Sequence, residues 1–344
     1  MRYYLKYIFT LLCCGIFLIA AAQKSANFSI KNIKLPPELS YYDNQFSGMY
    51  IQQQVLYLLS ESRLQDSAQA KLYAIKIADI TTQLADSNFI LPYKKIIIAN
   101  LAKLSNQMQQ LGTVYEGLEA MVISGSHIYF TVETTTPSSQ CYLLKGTLHD
   151  SVVTMDENVI IPLPKPLASN GSHIYNAGFE ALSLINNSLY AFFEYNNFAV
   201  NNWVLGIRPT TKRSAFISLK AMQQLPFRLT DITQTSKHNF TAINYFYKGA
   251  GNDEVYRVPT TDTINDTLIR DNAGYKSYAR LIQLKYKKNK FVWKPLWQLP
   301  ASYMAYNWEC IAAYRKGYFI LNDKYTAARP YQSTLLYLQP IAEK

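Results

Sequence analysis

Acidic residues recur at one fixed spacing along this sequence, and they are the residues best suited to do chemistry. Three pairs of acids are each 14 residues apart: Glu119 and Glu133, Glu180 and Glu194, and Glu309 and Asp323. Carboxylates gathered in one place can bind a hard cation, hold protons at a raised pKa, or accept backbone hydrogen bonds. The spacing therefore predicts a carboxylate site, provided that the fold brings the pairs together.

The segments that carry these acids share one pattern. Residues 118–133 are LEAMVISGSHIYFTVE, residues 179–194 are FEALSLINNSLYAFFE, and residues 308–323 are WECIAAYRKGYFILND. Each segment has an acid, an apolar stretch, a polar turn, a second apolar stretch and a closing acid, which is typical of a β-hairpin. We call the opening acid the first position of the copy and the closing acid its second position.

Two further segments fit the same frame with fewer acids. They are residues 46–61, with Ser47 and Glu61, and residues 230–244, which are one residue shorter, with Asp231 and Asn244. The two ends of an antiparallel hairpin are neighbours, so each copy presents its first and second positions side by side.

Apolar stretches after each hairpin predict a third strand and, for most copies, a fourth; in the third copy these are residues 213–220 and 226–229. The last copy ends after three strands, and residues 27–35 belong to no copy, so they can supply the missing outer strand. Five four-stranded sheets closed by the N-terminal strand predict an all-β fold, a five-bladed β-propeller. The fourth and fifth copies start 78 residues apart, which leaves six blades as an alternative. Within this gap, residues 249–274 are polar and predict a long loop.

In a propeller the first strand of each blade lines a central channel, so the ten positions would meet at one mouth. We expect the eight acids among them to be metal ligands: Glu61, Glu119, Glu133, Glu180, Glu194, Asp231, Glu309 and Asp323. Oxygen ligands without His or Cys suit a hard ion, and a high ligand number favours Ca²⁺. The alternative role is structural, with each carboxylate accepting hydrogen bonds from the backbone of the next blade; the two roles are compatible.

Three basic residues lie close to these acids in the sequence. Arg63 and Lys324 follow second-position acids, and Arg228 precedes Asp231. They are candidates to bind a phosphate group beside the metal, because guanidinium and ammonium groups form charge-assisted hydrogen bonds with phosphate. The alternative is that they form ion pairs that neutralise the ring of acids.

The N-terminal segment predicts export. Arg2 and Lys6 precede an apolar run that ends in Ala20, Ala21 and Ala22, which is the pattern of a cleaved signal peptide. We therefore expect a signal peptide over residues 1–22, a single domain over residues 23–344, and a periplasmic or extracellular destination without a membrane span. An uncleaved membrane anchor is the alternative.

The basic residues give no sign of a nucleic-acid partner. The formal net charge is +11, but Lys and Arg are scattered along the chain and form no basic stripe. We expect no nucleic-acid partner and a monomeric protein.

The segment NAGFEALSLINNSLYAFFE at residues 176–194 resembles the core motif of the phytase-like domain family with proposed esterase-like activity. YEGLEAM at residues 115–121 and NWECIAAY at residues 307–314 are similar to other segments of that family. The resemblance implies a β-propeller with bound divalent cations that hydrolyses phosphate esters. Its functional residues match these positions: Glu119, Glu133, Glu180, Glu194, Glu309 and Asp323.

The leading functional hypothesis is a Ca²⁺-dependent phosphoesterase-like hydrolase. A metal would polarise a phosphoryl oxygen and lower the pKa of an attacking water, with Glu180 and Glu309 as ligands or as the catalytic base. A small anionic or phosphorylated molecule is the expected ligand. The alternative is a propeller without enzymatic activity that binds a ligand or a protein at the same mouth.

Overall fold

Short turns between apolar stretches build the β-hairpins of this protein. In the computed structural model, which describes residues 27–41, 44–61, 70–209, 214–323 and 332–341, several hairpins close through two residues with positive φ. Asn186 and Asn187, with φ of 48° and 62°, are an example. Such turns match the right-handed twist of the flanking strands, and Asn adopts this backbone conformation more easily than most residues. Residues 1–22, the predicted signal peptide, lie outside the described residues.

The strands form consecutive four-stranded antiparallel units, which we call meanders. The first meander consists of β2 (Phe46–Gln52), β3 (Val55–Ser60), β4 (Lys71–Lys76) and β5 (Lys94–Ala99). The second consists of β6 (Tyr115–Ser124), β7 (His127–Thr134), β8 (Gln140–His149) and β9 (Val152–Pro164). These two meanders form one eight-stranded sheet, because their outer strands β5 and β9 pair in parallel over three residues.

The third and fourth meanders form a second eight-stranded sheet, because their outer strands, Ala215–Met222 and Lys290–Gln298, pair in parallel. The third consists of β10 (Ala181–Ile185), β11 (Ser188–Phe192), β12 (Trp203–Pro209) and β13 (Ala215–Met222). The predicted strand order of this copy is therefore wrong, since β12 was missed and the segment at 226–229 overlaps the start of the next meander. The fourth consists of β14 (Arg228–Ser236), β15 (Asn239–Phe246), β18 (Tyr278–Lys287) and β19 (Lys290–Gln298).

The fifth meander is completed by the N-terminal strand. Its strands from the C-terminal part of the chain are β20 (Trp308–Tyr314), β21 (Gly317–Asn322) and β22 (Leu335–Pro340). The outer strand is β1 (Phe28–Ile33), which pairs with β22 from Phe28 opposite Pro340 to Ile33 opposite Leu335. This closure joins the two ends of the described chain through main-chain hydrogen bonds. It agrees with the prediction that residues 27–35 supply the missing outer strand of the last copy.

Helices occupy connections between the strands. They are α1 (Pro37–Ser40), α2 (Ile77–Ala85), α3 (Leu101–Gln110) and α4 (Thr263–Ile269). We call residues 247–277, which connect β15 to β18, the inserted segment. A polar loop was predicted there, but the segment also contains a 3-10 helix (Gly251–Tyr256), α4, and a small hairpin of β16 (Arg270–Asp271) and β17 (Gly274–Tyr275).

The first strands of the meanders form a closed ring of contacts. Strand β2 contacts β6 and β20, β10 contacts β6 and β14, and β14 also contacts β20. Apolar faces of neighbouring meanders pack against each other, as where the rings of Phe192 and Phe291 lie 5.0 Å apart. A ring of radially packed antiparallel sheets around a channel is the β-propeller architecture, so the all-β propeller prediction is confirmed. Within the described residues, no helix is both long enough and apolar enough to span a membrane.

Candidate functional site

A β-bulge lies at the first position of most copies of the repeat. The pairing register shifts between Phe46 and Gly48, between Leu118 and Met121, and between Trp308 and Cys310. Ser47, Glu119 and Glu309 lie within these shifts. Because a bulge leaves a residue unpaired and changes the direction of its side chain, it turns the first position away from the regular alternation of the strand.

Backbone hydrogen bonds tie each second position to the start of its own hairpin. The N–H of Glu61 donates to the carbonyl of Gln45 at 2.8 Å, and the N–H of Glu194 donates to Gly178 at 2.9 Å. Asp323 makes the equivalent bond to Asn307 at 2.8 Å. The repeat is therefore a repeat of geometry as well as of sequence, and it places the second-position acids at the same end of these hairpins.

Three glutamates of the second and third meanders converge into what we call the carboxylate cluster. One carboxylate oxygen from each of Glu119, Glu133 and Glu180 lies within 4.8 Å of the other two. The three residues are only 6%, 6% and 8% exposed. Acids that are 61 residues apart in the sequence, Glu119 and Glu180, thus share one buried site.

Two glycines make room for these side chains. A Cβ atom at Gly117 would overlap Oε1 of Glu61 and lie 2.9 Å from Oε1 of Glu119. A Cβ atom at Gly178 would lie 3.2 Å from Cγ of Glu133 and 3.3 Å from Oε1 of Glu180. Each glycine lies two residues before a first-position glutamate, so a side chain at either position would press on a second-position acid of the preceding meander.

Burial and mutual repulsion raise the pKa values of these acids. Burial first, and then the charge of Glu180, raises the pKa of Glu119 well above its usual value. Burial followed by the charge of Glu194 raises the pKa of Glu133 to about 8 and also raises that of Glu180. Burial followed by the charges of Asp323 and Glu194 raises the pKa of Glu309.

Among the described residues, two buried oxygen atoms of the second meander have no hydrogen-bond partner. They are Oε1 of Glu133 and the hydroxyl of Tyr115, whose residues are 6% and 7% exposed. Burial raises the pKa of Tyr115, and the charges of Glu61 and Glu119 raise it further, so its hydroxyl lies near these acids. Because a buried polar atom without a partner is costly, these two atoms indicate a place where a ligand would bind.

Glu194 faces the same acids, but it is neutralised by the fourth meander and the inserted segment. Its Oε1 accepts a hydrogen bond from Nη1 of Arg228 at 2.7 Å, and its Oε2 accepts one from the hydroxyl of Tyr256 at 2.5 Å. Nη2 of Arg228 donates to Oδ1 of Asp253 at 2.8 Å. The Arg228 guanidinium also stacks over the ring of Tyr256 at 3.8 Å. Arg228, a predicted phosphate-binding residue, therefore makes the ion pairs that were its alternative role.

Asp231 accepts backbone hydrogen bonds that join two strands, and it is not part of the carboxylate cluster. Its two oxygens accept hydrogen bonds from the backbone N–H groups of Ile232 and Ile311, each at 2.7 Å, which joins β14 to β20. Thr230 occupies the first position of the fourth meander. Its hydroxyl donates to the carbonyl of Trp308, which precedes Glu309, just as the hydroxyl of Ser47 donates to the carbonyl of Leu118, which precedes Glu119.

The cause of this displacement is a second register shift in the fourth meander, between Gln234 and Ser236. It adds one residue to β14 before the turn, so Thr230 and not Asp231 takes the first position. Tyr245, and not Asn244, takes the second position, opposite Arg228. The repeat pattern did not identify four residues of the site: Tyr115, Thr230, Tyr245 and Tyr256. The recurrence of Gly two residues before Glu119 and Glu180 was the available signal for the tight packing there.

Of the remaining predicted site residues, three are half-buried and two lie outside the described residues. Glu61 and Glu309 are half-buried at the mouth, and Glu61 approaches Glu119 beside Gly117. Asp323 is half-buried and accepts a long hydrogen bond from Asn307 at 3.5 Å. Arg63 and Lys324 lie outside the described residues.

Comparisons with known proteins show similarity of fold only. No protein-family model matches the chain, and no curated protein matches it. Among solved structures, GH43B of the Bacteroides ovatus xyloglucan PUL aligns over 92% of this chain and 55% of its own, with a TM-score of 0.50 and 10% identity. The Malassezia sympodialis allergen Mala s 1 aligns over 87% of this chain and 80% of its own, with a TM-score of 0.46 and 8% identity. The likeness to GH43B shows the fold alone, a β-propeller.

Proposed function

We propose that the chain is a five-bladed β-propeller that binds a divalent cation, preferably Ca²⁺, at the carboxylate cluster. The observation that carries the proposal is the convergence of three buried carboxylates within 4.8 Å of one another. The closed ring of contacts among β2, β6, β10, β14 and β20 supports the count of five, with each meander as one blade.

The charge balance of the cluster favours a bound cation. At about 4 Å, two like charges repel by roughly 4 kcal/mol at an effective dielectric constant of about 20. Among the described basic side chains near the cluster, Arg228 holds Glu194 and Asp253, and Nζ of Lys165 donates to the carbonyls of Thr134 and Thr135. Without a cation the repulsion is relieved by protonation, which is what the raised pKa values express, so protons and cation compete for the same oxygens.

The donor set favours Ca²⁺ over softer ions. The cluster offers carboxylate oxygens, with Glu61 and Glu309 close enough to raise the pKa of Glu119. Calcium takes about six to eight oxygen ligands in flexible geometry, which suits several glutamates. Cys310, which follows Glu309, packs in the apolar core between the first and fifth meanders, and burial raises the pKa of its thiol, so it is no metal ligand.

Calorimetry tests the cation site directly. We expect CaCl₂ to bind the chelator-stripped protein and to raise its melting temperature, and we expect Glu133→Gln to weaken binding by about tenfold or more, since it removes a ligand charge. The matched control is Glu157→Gln, which removes an acid that pairs with Lys103 at 2.8 Å away from the cluster. Neither heat nor a change in melting temperature in the wild-type protein would contradict the cation site.

We further propose that the site hydrolyses phosphate esters, the activity that the family resemblance implies. A bound cation would supply Lewis-acid polarisation of a phosphoryl oxygen. Glu180, as a member of the cluster, would hold it. Glu309, which is half-buried, would be the proton donor to the leaving oxygen, and burial followed by the charge of Asp323 raises its pKa in the direction that this role needs. Arg63 and Lys324 remain the candidates for binding the phosphate.

A cation-dependent binding propeller without turnover is the second candidate. It is favoured by Arg228, whose Nη1 and Nη2 atoms are occupied by Glu194 and Asp253 and so do not face a substrate. A panel of phosphomonoesters with CaCl₂ separates the candidates. Turnover that Glu180→Gln or Glu309→Gln abolishes while the fold stays intact would support the hydrolase. Ligand binding in the absence of any wild-type turnover would support the binding module.

A further inference from the structure

The inserted segment reaches the mouth of the channel and contacts an acid of the third meander. Its 3-10 helix, Gly251–Tyr256, carries both Asp253 and Tyr256. Tyr256 is 1% exposed, and its ring lies 5.7 Å from that of Tyr195, next to Glu194 in the sequence. A segment that looks like a polar loop in the sequence thus places two side chains on the network that surrounds Glu194.

Glu194 is positioned to be a fourth member of the carboxylate cluster. Its backbone N–H donates to the carbonyl of Gly178, and a Cβ atom at Gly178 would lie 3.2 Å from Cγ of Glu133 and 3.3 Å from Oε1 of Glu180, so the Glu194 backbone lies beside both. It is 4% exposed and follows the third-meander hairpin in the same way that Glu133 closes the second. However, it differs from Glu133 in that both of its oxygens already accept hydrogen bonds, from Arg228 and Tyr256.

We propose that Arg228 and Tyr256 hold Glu194 out of the cation site, so that the inserted segment limits the affinity of the carboxylate cluster for its cation. Arg228 and Tyr256 are positioning residues in this scheme, and Glu194 is a latent ligand. The inference rests on the proposed cation site and adds a determinant that the repeat itself does not contain. It predicts that weakening the hold on Glu194 strengthens cation binding.

The physical basis is competition for the lone pairs and the charge of one carboxylate. To approach a cation, Glu194 must weaken a charge-assisted bond to Arg228 and a short bond to the Tyr256 hydroxyl. Loss of the hydroxyl alone removes one competitor and leaves the ring packing in place. The remaining negative charge of Glu194 is then less shielded, which also favours a cation at the neighbouring cluster.

Calcium calorimetry on the chelator-stripped full chain tests this with Tyr256→Phe. We expect Tyr256→Phe to bind Ca²⁺ about tenfold more tightly, the equivalent of one hydrogen bond to a charged group. In the Glu194→Gln background the gain should be absent, so that the double variant Tyr256→Phe/Glu194→Gln binds Ca²⁺ no more tightly than Glu194→Gln alone. Tyr195→Phe is the matched control, because its hydroxyl donates to the carbonyl of Asn197 instead of to Glu194.

Asp253→Asn supplies an independent prediction of opposite sign. Of the two described acids that pair with Arg228, only Glu194 keeps its charge in Asp253→Asn. Arg228 then holds Glu194 more firmly, so Ca²⁺ should bind about threefold more weakly. A merely structural role for the network would weaken binding in both variants. If Tyr256→Phe does not fold, Asp253→Asn is compared in the Glu194→Gln background, where the threefold loss should disappear; a loss that persists there would overturn the inference.

The outcomes separate this inference from the proposed function. Wild-type Ca²⁺ binding with unchanged or weaker binding by Tyr256→Phe would overturn the inference alone. A gain that persists in the Glu194→Gln background would also overturn it, because the gain would not pass through Glu194. No Ca²⁺ binding by any variant would overturn the cation site itself and the inference with it.

Discussion

The raised pKa of Glu133 predicts that the cation-free protein becomes less stable as the pH rises. Below about pH 4.5, Glu133 is protonated in both the folded and the unfolded chain, and its burial has no charge cost. Between pH 4.5 and about 8, the unfolded chain releases this proton and the folded protein keeps it. The folded state then binds more protons than the unfolded state, so the free energy of unfolding falls with rising pH.

The size of this effect follows from the pKa of about 8, compared with the ordinary value of 4.5. Each pH unit in that window is worth about 1.4 kcal/mol for one proton, which gives an upper limit of about 5 kcal/mol for Glu133 alone. Glu119, Glu180 and Glu309 also have raised pKa values and act in the same direction. The lowered pKa of Glu38, about 2, affects stability only as the pH falls below about 4.5.

Urea unfolding in the presence of a chelator, from pH 5 to pH 8, measures this loss. We expect Glu133→Gln to have a shallower pH dependence than the wild type, and to be the more stable of the two at pH 8. Comparing the two proteins removes the contribution of histidines, such as His173, whose lowered pKa acts in the opposite direction. Saturating CaCl₂ should reverse the order at pH 8, because only the wild type keeps all three carboxylates of the cluster.

Two results would refute this reasoning. One is a cation-free wild type whose stability is constant or rises from pH 5 to pH 8 relative to Glu133→Gln. The other is the same change in slope for Glu157→Gln, an acid outside the cluster.

The remaining predictions separate packing from ligation. Gly117→Ala should destabilise the protein by about 1–3 kcal/mol and weaken Ca²⁺ binding, since its Cβ would overlap Glu61; chemical denaturation and calorimetry check this. Gly178→Ala, with its nearest contact at 3.2 Å, should have the smaller effect. Asp231→Asn should cost about 1–3 kcal/mol in denaturation, because an amide cannot accept both backbone hydrogen bonds, while Ca²⁺ affinity stays close to that of the wild type. A large loss of affinity in Asp231→Asn would instead assign Asp231 to the cation site.

The sequence predicts the hairpins and the closure because both are encoded locally. The alternation of apolar stretches and turns around Glu119, Glu180 and Glu309 corresponds to real strand pairs. The N-terminal closure follows from simple accounting of strands, since β22 would otherwise be left as an unpaired edge.

The fourth meander could not be predicted from the same pattern. A bulge changes the register by one residue and moves every later side chain to the opposite face of the strand. The additional shift between Gln234 and Ser236 adds one residue to β14 before the turn, so Thr230 lies where the repeat predicts Asp231. The sequence contains no mark of this shift that is stronger than the apparent match of the acids.

The pairing of Arg228 is beyond the reach of sequence reasoning for a different reason. Its partners Glu194 and Asp253 lie 34 residues before and 25 residues after it. The contact depends on how the inserted segment folds over the mouth, which is set by tertiary packing such as that of Tyr256 against Tyr195. Proximity of a basic residue to an acid along the chain does not tell whether its charge is free or neutralised.

The fourth meander departs from the repeat, and this makes the distribution of charge around the mouth uneven. If all five copies carried two acids, the charge would be spread around the axis and no side would bind a cation better than another. Instead Thr230 and Tyr245 are neutral, and Arg228 adds a positive charge beside Glu194. The acids that converge are those of the second and third meanders, Glu119, Glu133 and Glu180. A repeated fold thereby acquires one site between two of its copies, and the residues that break the repeat determine its place as much as those that keep it.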